Sequence, residues 1–228
     1  MRSLTLTQAH LDKLRRNVED TGPGPEGTVF SDADYAEWVE RVLATNPSPE
    51  PGVRLFAYGS LIWKPEIAQT AARIGLAQGW HRSFCYRVLR HRGTAETPGL
   101  MMALDLGGSC RGVLYDLARD GVAADLARLF RREFTVKPGN SLPRWIRVQT
   151  RDGPYPALTF AMNRASPAYV GRLDPEKVAT VLARACGHWG SGAEYLLNTV
   201  QHLEAQGIHD RALWRLQRLV AEEIDRLT

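Results

Sequence analysis

Cysteine is scarce in this 228-residue chain, with only Cys85, Cys110 and Cys186, an odd number at wide spacing. Three such thiols form neither a disulfide framework nor a CxxC pair, so a reducing cytoplasm is the expected compartment. No apolar run approaches the ~20 residues needed to cross a bilayer. The opening MRSLTLTQAHLDKLRRNVED carries charge and lacks an apolar stretch, so neither a signal peptide nor a membrane partner is expected. GxGxxG, Walker-type and GxSxG segments are missing, which argues against nucleotide-loop and serine-hydrolase chemistry. The six histidines are scattered, and none has a second ligand at metal spacing, so no metal site is expected. Lysine is rare too, only 4 of the 29 basic residues, and the rest are arginine. A net charge of +4 leaves no broad basic field. The single local cluster, His81-Arg82 to Arg92, alternates with Phe84, Tyr86, Val88 and Leu89, as a strand with one solvated face would. No nucleic-acid partner is expected.

What is present is an ordinary globular composition, 44% hydrophobic and 24% charged, long enough for one large domain with an appendage. Residues 1–52 read as an N-terminal helical extension docked on a main domain at 53–228. Thr7 can cap a helix with Leu11, Leu14 and Val18 on one face, and Thr21 to Gly27 breaks it. Ser31 can cap a second helix to Leu43 that aligns Tyr35, Trp38, Val39 and Val42, and the proline-rich Asn46 to Gly52 ends it. Strands fit Val53–Tyr58, Phe84–Leu89, Leu100–Leu106, Arg111–Leu117, Trp145–Thr150 and Tyr155–Met162. Helices fit Gly121–Phe134, Pro175–Ala185, Ala193–Gln206 and Asp210–Leu227, with Thr135–Ser141 irregular. Strands in succession rather than alternating with helices predict an α+β domain with a mixed or antiparallel sheet that could close.

Three places could carry chemistry. On the helix ending LARLFRREF, Leu126, Leu129 and Phe130 stand at i, i+3 and i+4, and Glu133 at i+7, so its carboxylate lies on the core-facing stripe. Burial would raise its pKa toward the 6–7 that suits a general acid/base. The plainer reading is a helix-end carboxylate paired with arginine or released to solvent by fraying. Phe56 to Trp63 reads as strand, tight turn and apolar exit. Its Gly59-Ser60 turn can gather backbone N–H groups into an anion nest, or be a turn and nothing more. Ser191 and Glu194 have capping-box spacing, so a helix starts there, with anion binding as the alternative to simple capping. The cysteines read as core fillers.

The order of these segments resembles the ChaC-type, glutathione-specific γ-glutamylcyclotransferases. Phe56-Ala57-Tyr58-Gly59-Ser60-Leu61-Ile62-Trp63-Lys64-Pro65 is similar to that family's opening motif. Gly79-Trp80-His81-Arg82-Ser83-Phe84, His91-Arg92-Gly93-Thr94 with Pro98-Gly99, Cys110 to Tyr115, Arg132-Glu133, Ser166 to Gly171 and Ser191 to Leu196 follow in order. The likeness runs from about Val53 to Leu219. It implies a mixed sheet closed into a small β-barrel flanked by helices. It also implies a reaction, in which the γ-glutamyl group of glutathione cyclises to 5-oxoproline and releases Cys-Gly. Glu133 takes the catalytic place and Tyr58, Gly59, Ser60 and Leu61 the substrate loop, with no metal or organic cofactor needed. The partner implied is thus a small molecule, glutathione or a related γ-glutamyl compound. Two positions depart from the pattern: Ser141 stands where the family has a tyrosine, and Leu100 where it has an arginine. The same reaction on other γ-glutamyl peptides or amines, or a non-catalytic module binding a γ-glutamyl metabolite, are the alternatives.

Overall fold

The computed structural model describes residues 3–22, 28–48, 50 and 52–227. The glycine/proline run at 23–27 and Pro49 and Pro51 of the linker lie outside the described residues. The chain divides into two compact units.

One unit comprises 28–83 and 103–166 and is built on a closed barrel. Its strands are β2 (Arg54–Ala57), β3 (Gln69–Val88), β4 (Gly99–Leu117), β6 (Ser141–Thr150) and β7 (Gly153–Met162), in the order β2-β4-β3-β6-β7. The far ends of β3 and β4 run on into the other unit. β2 lies antiparallel to β4, with Phe56 opposite Leu114, and parallel to β7, with Leu55 opposite Leu158, which closes the ring. β6 and β7 form a hairpin from Ser141↔Met162 to Thr150↔Gly153. Leu55, Phe56, Leu104, Leu114, Leu158 and Phe160 fill the core at 0–1% exposure. Burying each such side chain contributes about 1.5–3 kcal/mol. Where β4 crosses β2, a Cβ at Gly112 would strike the Ala57 carbonyl and the Phe56 ring, so glycine permits the close approach.

Against this barrel unit belong α2 (Asp32–Ala44) and α3 (Val122–Glu133). The Ser31 side chain accepts from the Asp34 amide and starts α2, whose Tyr35, Val39 and Val42 are buried. α2 packs on α3. The Tyr35 hydroxyl donates to the Phe134 carbonyl at 2.9 Å, and the Phe30 and Phe134 rings meet edge-on at 5.1 Å. A two-strand ribbon, β1 (Thr28–Val29) with β5 (Val136–Lys137), continues the same embrace.

The other unit comprises 3–22, 84–102 and 167–227. It holds α1 (Gln8–Lys13), α4 (Pro175–Leu182), a small ribbon of β8 (Cys186–Gly187) and β9 (Gly190–Ser191), α5 (Gly192–Ala205) and α6 (Arg211–Leu227). α6 buries Leu213, Leu216, Gln217, Val220 and Ile224 along one face against α4 and α5. The Leu6 amide donates to buried Gln217 at 2.8 Å, which fixes the start of the chain beside α6.

The expected α+β architecture with a small flanked barrel is the one observed. Five local expectations are corrected. α1 stops at Lys13, so Val18 is not helical. Leu100–Leu106 and Arg111–Leu117 are one strand, because Gly107 and Gly108, at φ 109 and 68, bend the strand without ending it. Strand β3 begins at Gln69, fifteen residues before its expected start, and β6 begins at Ser141 rather than Trp145. Thr135–Ser141 is not wholly irregular, since Val136–Lys137 pairs with Thr28–Val29.

Candidate active site

Glu133 is the last residue of α3, on the stripe that buries Leu126, Leu129 and Phe130. Phe134 then turns to extended backbone, which ends the helix there and leaves the Glu133 side chain only 18% exposed. Burial pushes its carboxyl up to about 7; Arg132 pulls down and Glu66 pushes up. Its place at a helix C-terminus, where the macrodipole is negative, disfavours the anion as well.

The Tyr58–Leu61 segment belongs to the same unit and follows β2 directly. Tyr58 and Leu61 are buried at 8% and 4%. Ser60–Ile62 forms one 3-10 turn, in which the Gly59 carbonyl accepts from Ile62 at 2.9 Å and the Ser60 carbonyl from Lys64 at 2.9 Å. Three groups clamp this turn from outside. Arg82 Nε donates to the Tyr58 carbonyl at 2.6 Å and another arm of the same guanidinium to the Arg111 carbonyl. The Tyr115 hydroxyl donates to the Ile62 carbonyl at 3.1 Å. Arg132 donates to the Ser60 hydroxyl at 3.1 Å and to the Lys64 carbonyl, while its Nε stands 3.5 Å from Glu133 Oε1. Arg132 therefore joins the turn to the carboxyl.

Residue pattern alone leaves Glu133 and the turn separate and the family resemblance assigns them to one site; in the structure both meet one guanidinium. Arg82 and Tyr115, like the linking role of Arg132, are absent from the site expected from sequence. The signal that could have found them is that all three lie in segments of the family resemblance, Gly79 to Phe84, Cys110 to Tyr115 and Arg132-Glu133. Ser141 and Leu100 are both buried, at 9% and 4%, so neither presents a solvated side chain.

The Ser191 region lies in the other unit. The Ser191 hydroxyl accepts from the Glu194 amide at 3.1 Å, as a cap should. The Glu194 carboxylate pairs with Arg92 at 2.9 Å, and Arg92 also donates to the Ser191 carbonyl. A carboxylate already stands at this helix start, which favours simple capping over anion binding. His91 stacks on Trp189 with centroids 3.9 Å apart, and burial, helped by Arg90, lowers it to about 4. Cys85, Cys110 and Cys186 are buried thiols. Among the described residues no group of three His, Cys, Asp or Glu could hold a metal ion, and no helix is long and apolar enough to cross a membrane. A polar cavity of about 290 Å³ opens elsewhere in the barrel unit, beside Arg54 and Asp116. Its Arg54 is engaged by Asp116 and Glu50, at 3.2 and 3.0 Å.

With this geometry in hand, a family model described as ChaC-like protein matches residues 53–223. The glutathione-specific gamma-glutamylcyclotransferase of Escherichia coli (strain K12) is 35% identical over 189 residues, 82% of this chain and 80% of that protein. The human glutathione-specific gamma-glutamylcyclotransferase 1 is 30% identical over 160 residues, 67% of this chain and 70% of that one. Among solved structures, a glutathione-specific γ-glutamyl cyclotransferase from yeast superposes with a TM-score of 0.68 at 20% identity. That match covers 76% of this chain and 97% of the yeast chain, and is a likeness of fold.

Proposed function

This chain belongs to the ChaC-like family, and we propose that it is a γ-glutamylcyclotransferase whose substrate is glutathione. The single observation that carries the reading is a largely buried carboxyl at a helix end, one guanidinium away from the strand-borne turn. The reaction asks for such a group. The substrate's α-amine, with pKa near ~8, must give up a proton before it attacks its own γ-carbonyl. The amine leaving as Cys-Gly must then receive one. A carboxyl titrating near neutrality can accept the first proton and return it to the leaving group, each transfer contributing about 10²–10⁴-fold. Because nucleophile and electrophile lie in one molecule, holding the γ-glutamyl chain folded supplies much of the remaining acceleration.

In this reading Glu133 is the acid/base and Tyr58–Leu61 receives the γ-glutamyl end. The amides offered to the substrate are those of Gly59 to Leu61, upstream of the Ile62, Trp63 and Lys64 amides already bonded inside the turn. No step calls for a metal or redox group. A module that only bound γ-glutamyl metabolites would have no use for a carboxyl held near neutrality, which favours the enzyme.

The test is direct. Purified protein incubated with glutathione, γ-glutamyl dipeptides and γ-glutamyl amines is assayed for 5-oxoproline, beside Glu133→Gln. Wild type should turn over glutathione, and the variant should lose at least ~10²-fold in kcat. A variant within threefold of wild type would remove Glu133 from the reaction. Turnover confined to other γ-glutamyl compounds would change the substrate and keep the chemistry.

A further inference from the structure

Arg132 precedes Glu133 and carries the nearest cation, yet the two do not close into a tight ion pair. Nη1 of Arg132 donates to the Lys64 carbonyl and lies 3.4 Å from Glu66 Oε2, and Nη2 donates to the Ser60 hydroxyl. Only the Nε edge faces Glu133, at 3.5 Å, well beyond the ~2.7–2.9 Å of a charge-assisted hydrogen bond. The guanidinium is turned toward the loop, with the Glu66 carboxylate on that side.

Glu66 reaches this place through a backbone at φ 54, a left-handed conformation unusual for a residue with a side chain. Such outliers collect where a side chain must be delivered to a fixed point. Lys64 Nζ steadies the carboxylate at 3.1 Å. Partial burial pushes Glu66 up, but Lys64 and Arg132 outweigh it and hold it below the ordinary carboxylate range, so it is an anion at neutral pH. Of the α2 carboxylates, Asp32 is engaged by Arg131 at 2.7 Å, Asp34 by Lys137 at 2.6 Å and Glu37 by Arg41 at 2.6 Å.

We infer that Glu66 is a positioning residue for this reaction: it anchors the Arg132 guanidinium on the substrate turn and so keeps Glu133 out of a closed ion pair. The inference rests on the reading of Glu133 as the acid/base. A Glu133 captured by Arg132 would be a stable carboxylate, a poor acceptor for the amine proton and a poorer donor to the leaving group. Glu66 and Glu133 thus compete for one cation, standing 3.4 and 3.5 Å from its Nη1 and Nε nitrogens.

Direct repulsion between the two carboxylates would act in the same sense, and a double-mutant cycle separates the routes. The Glu133 side-chain carboxyl is titrated by ¹³C NMR in wild type, Glu66→Gln, Arg132→Met and the double variant, the signal being assigned by its loss in Glu133→Gln. Glu66→Gln should move the Glu133 midpoint down by roughly half to one pH unit, and Arg132→Met should move it up. In the Arg132→Met background the effect of Glu66→Gln should vanish. Arg132→Gln, also uncharged, replaces Arg132→Met if the latter fails to fold, and should behave in the same sense. An unchanged midpoint in Glu66→Gln overturns the inference. So does an equal downward shift in both backgrounds, which would assign the effect to direct repulsion. The titration needs no turnover, so it stands apart from the 5-oxoproline assay. In active protein, the acid limb of the kcat profile should follow the same shifts.

Discussion

Replacing Glu133 by glutamine should make the fold more stable at neutral and alkaline pH while removing its activity. The unfolded chain ionises this carboxyl near its ordinary 4.5, the folded protein at about 7. Between those values the folded state keeps a proton that the unfolded state gives up. A folded-state pKa raised in this way contributes stability that is complete below about 4.5 and is lost as pH rises through about 7. At ~1.4 kcal/mol per unit, the gap corresponds to at most about 3.5 kcal/mol. The side chain is 18% exposed, so solvent screening trims that figure without removing it. Glutamine does not titrate, so the stability difference between variant and wild type reads the carboxyl's contribution as a function of pH. For a domain of this size ~3 kcal/mol is roughly 6–12 °C in Tm. Urea unfolding of both proteins from pH 4.5 to 8.5, followed by tryptophan fluorescence, should show the gap between them opening across this range and levelling off above pH 7. A gap constant to within about 0.5 kcal/mol would mean that Glu133 ionises as a solvated carboxylate, and the acid/base reasoning would fall with it.

Gly59→Val should raise KM steeply by blocking backbone approach to the turn, while Ser60→Ala, which removes only the hydroxyl held by Arg132, should be milder; equal severe losses in steady-state kinetics would refute a backbone-mediated turn. With Ser141 and Leu100 in place of a phenol and a guanidinium, one lost charge-assisted hydrogen bond corresponds to ~1.5–3 kcal/mol. Glutathione should therefore show a raised KM and a narrow advantage over simpler γ-glutamyl dipeptides, and a low-micromolar KM with dipeptides refused more than about a thousandfold would contradict this.

The helices were legible because their signals are local. Ser31 and Ser191 cap where the spacing says they should, and the α6 stripe repeats at helical intervals through six buried positions. Glu133 stood out because a carboxylate broke an apolar stripe. The first fifteen residues of strand β3 escaped notice because its inward places there hold the smallest residues. Gly75 and Ala77 face in, where a Cβ at Gly75 would strike Val148, while Ile74, 39% exposed, points out. Hydrophobic alternation is thus inverted exactly where the barrel is tightest, and a pattern search sees nothing. Arg132, Arg82 and Glu66 were hidden for another reason. The two arginines act through long-range contacts to backbone carbonyls and Glu66 through its ion pair with Arg132, and nothing in a residue's own neighbourhood announces which distant partner it will reach.

The embrace of α3 by Phe30 and Tyr35 has a bearing on how kinship is measured in such proteins. The family signature begins at residue 53, yet the hydrogen bond on the carbonyl just after Glu133 comes from Tyr35. The border of the family signature and the border of the mechanical unit therefore fall at different residues. Two relatives could share every motif and still differ in how firmly the helix end beneath the carboxyl is splinted. In this chain that stiffness is inherited from outside the part by which the family is recognised.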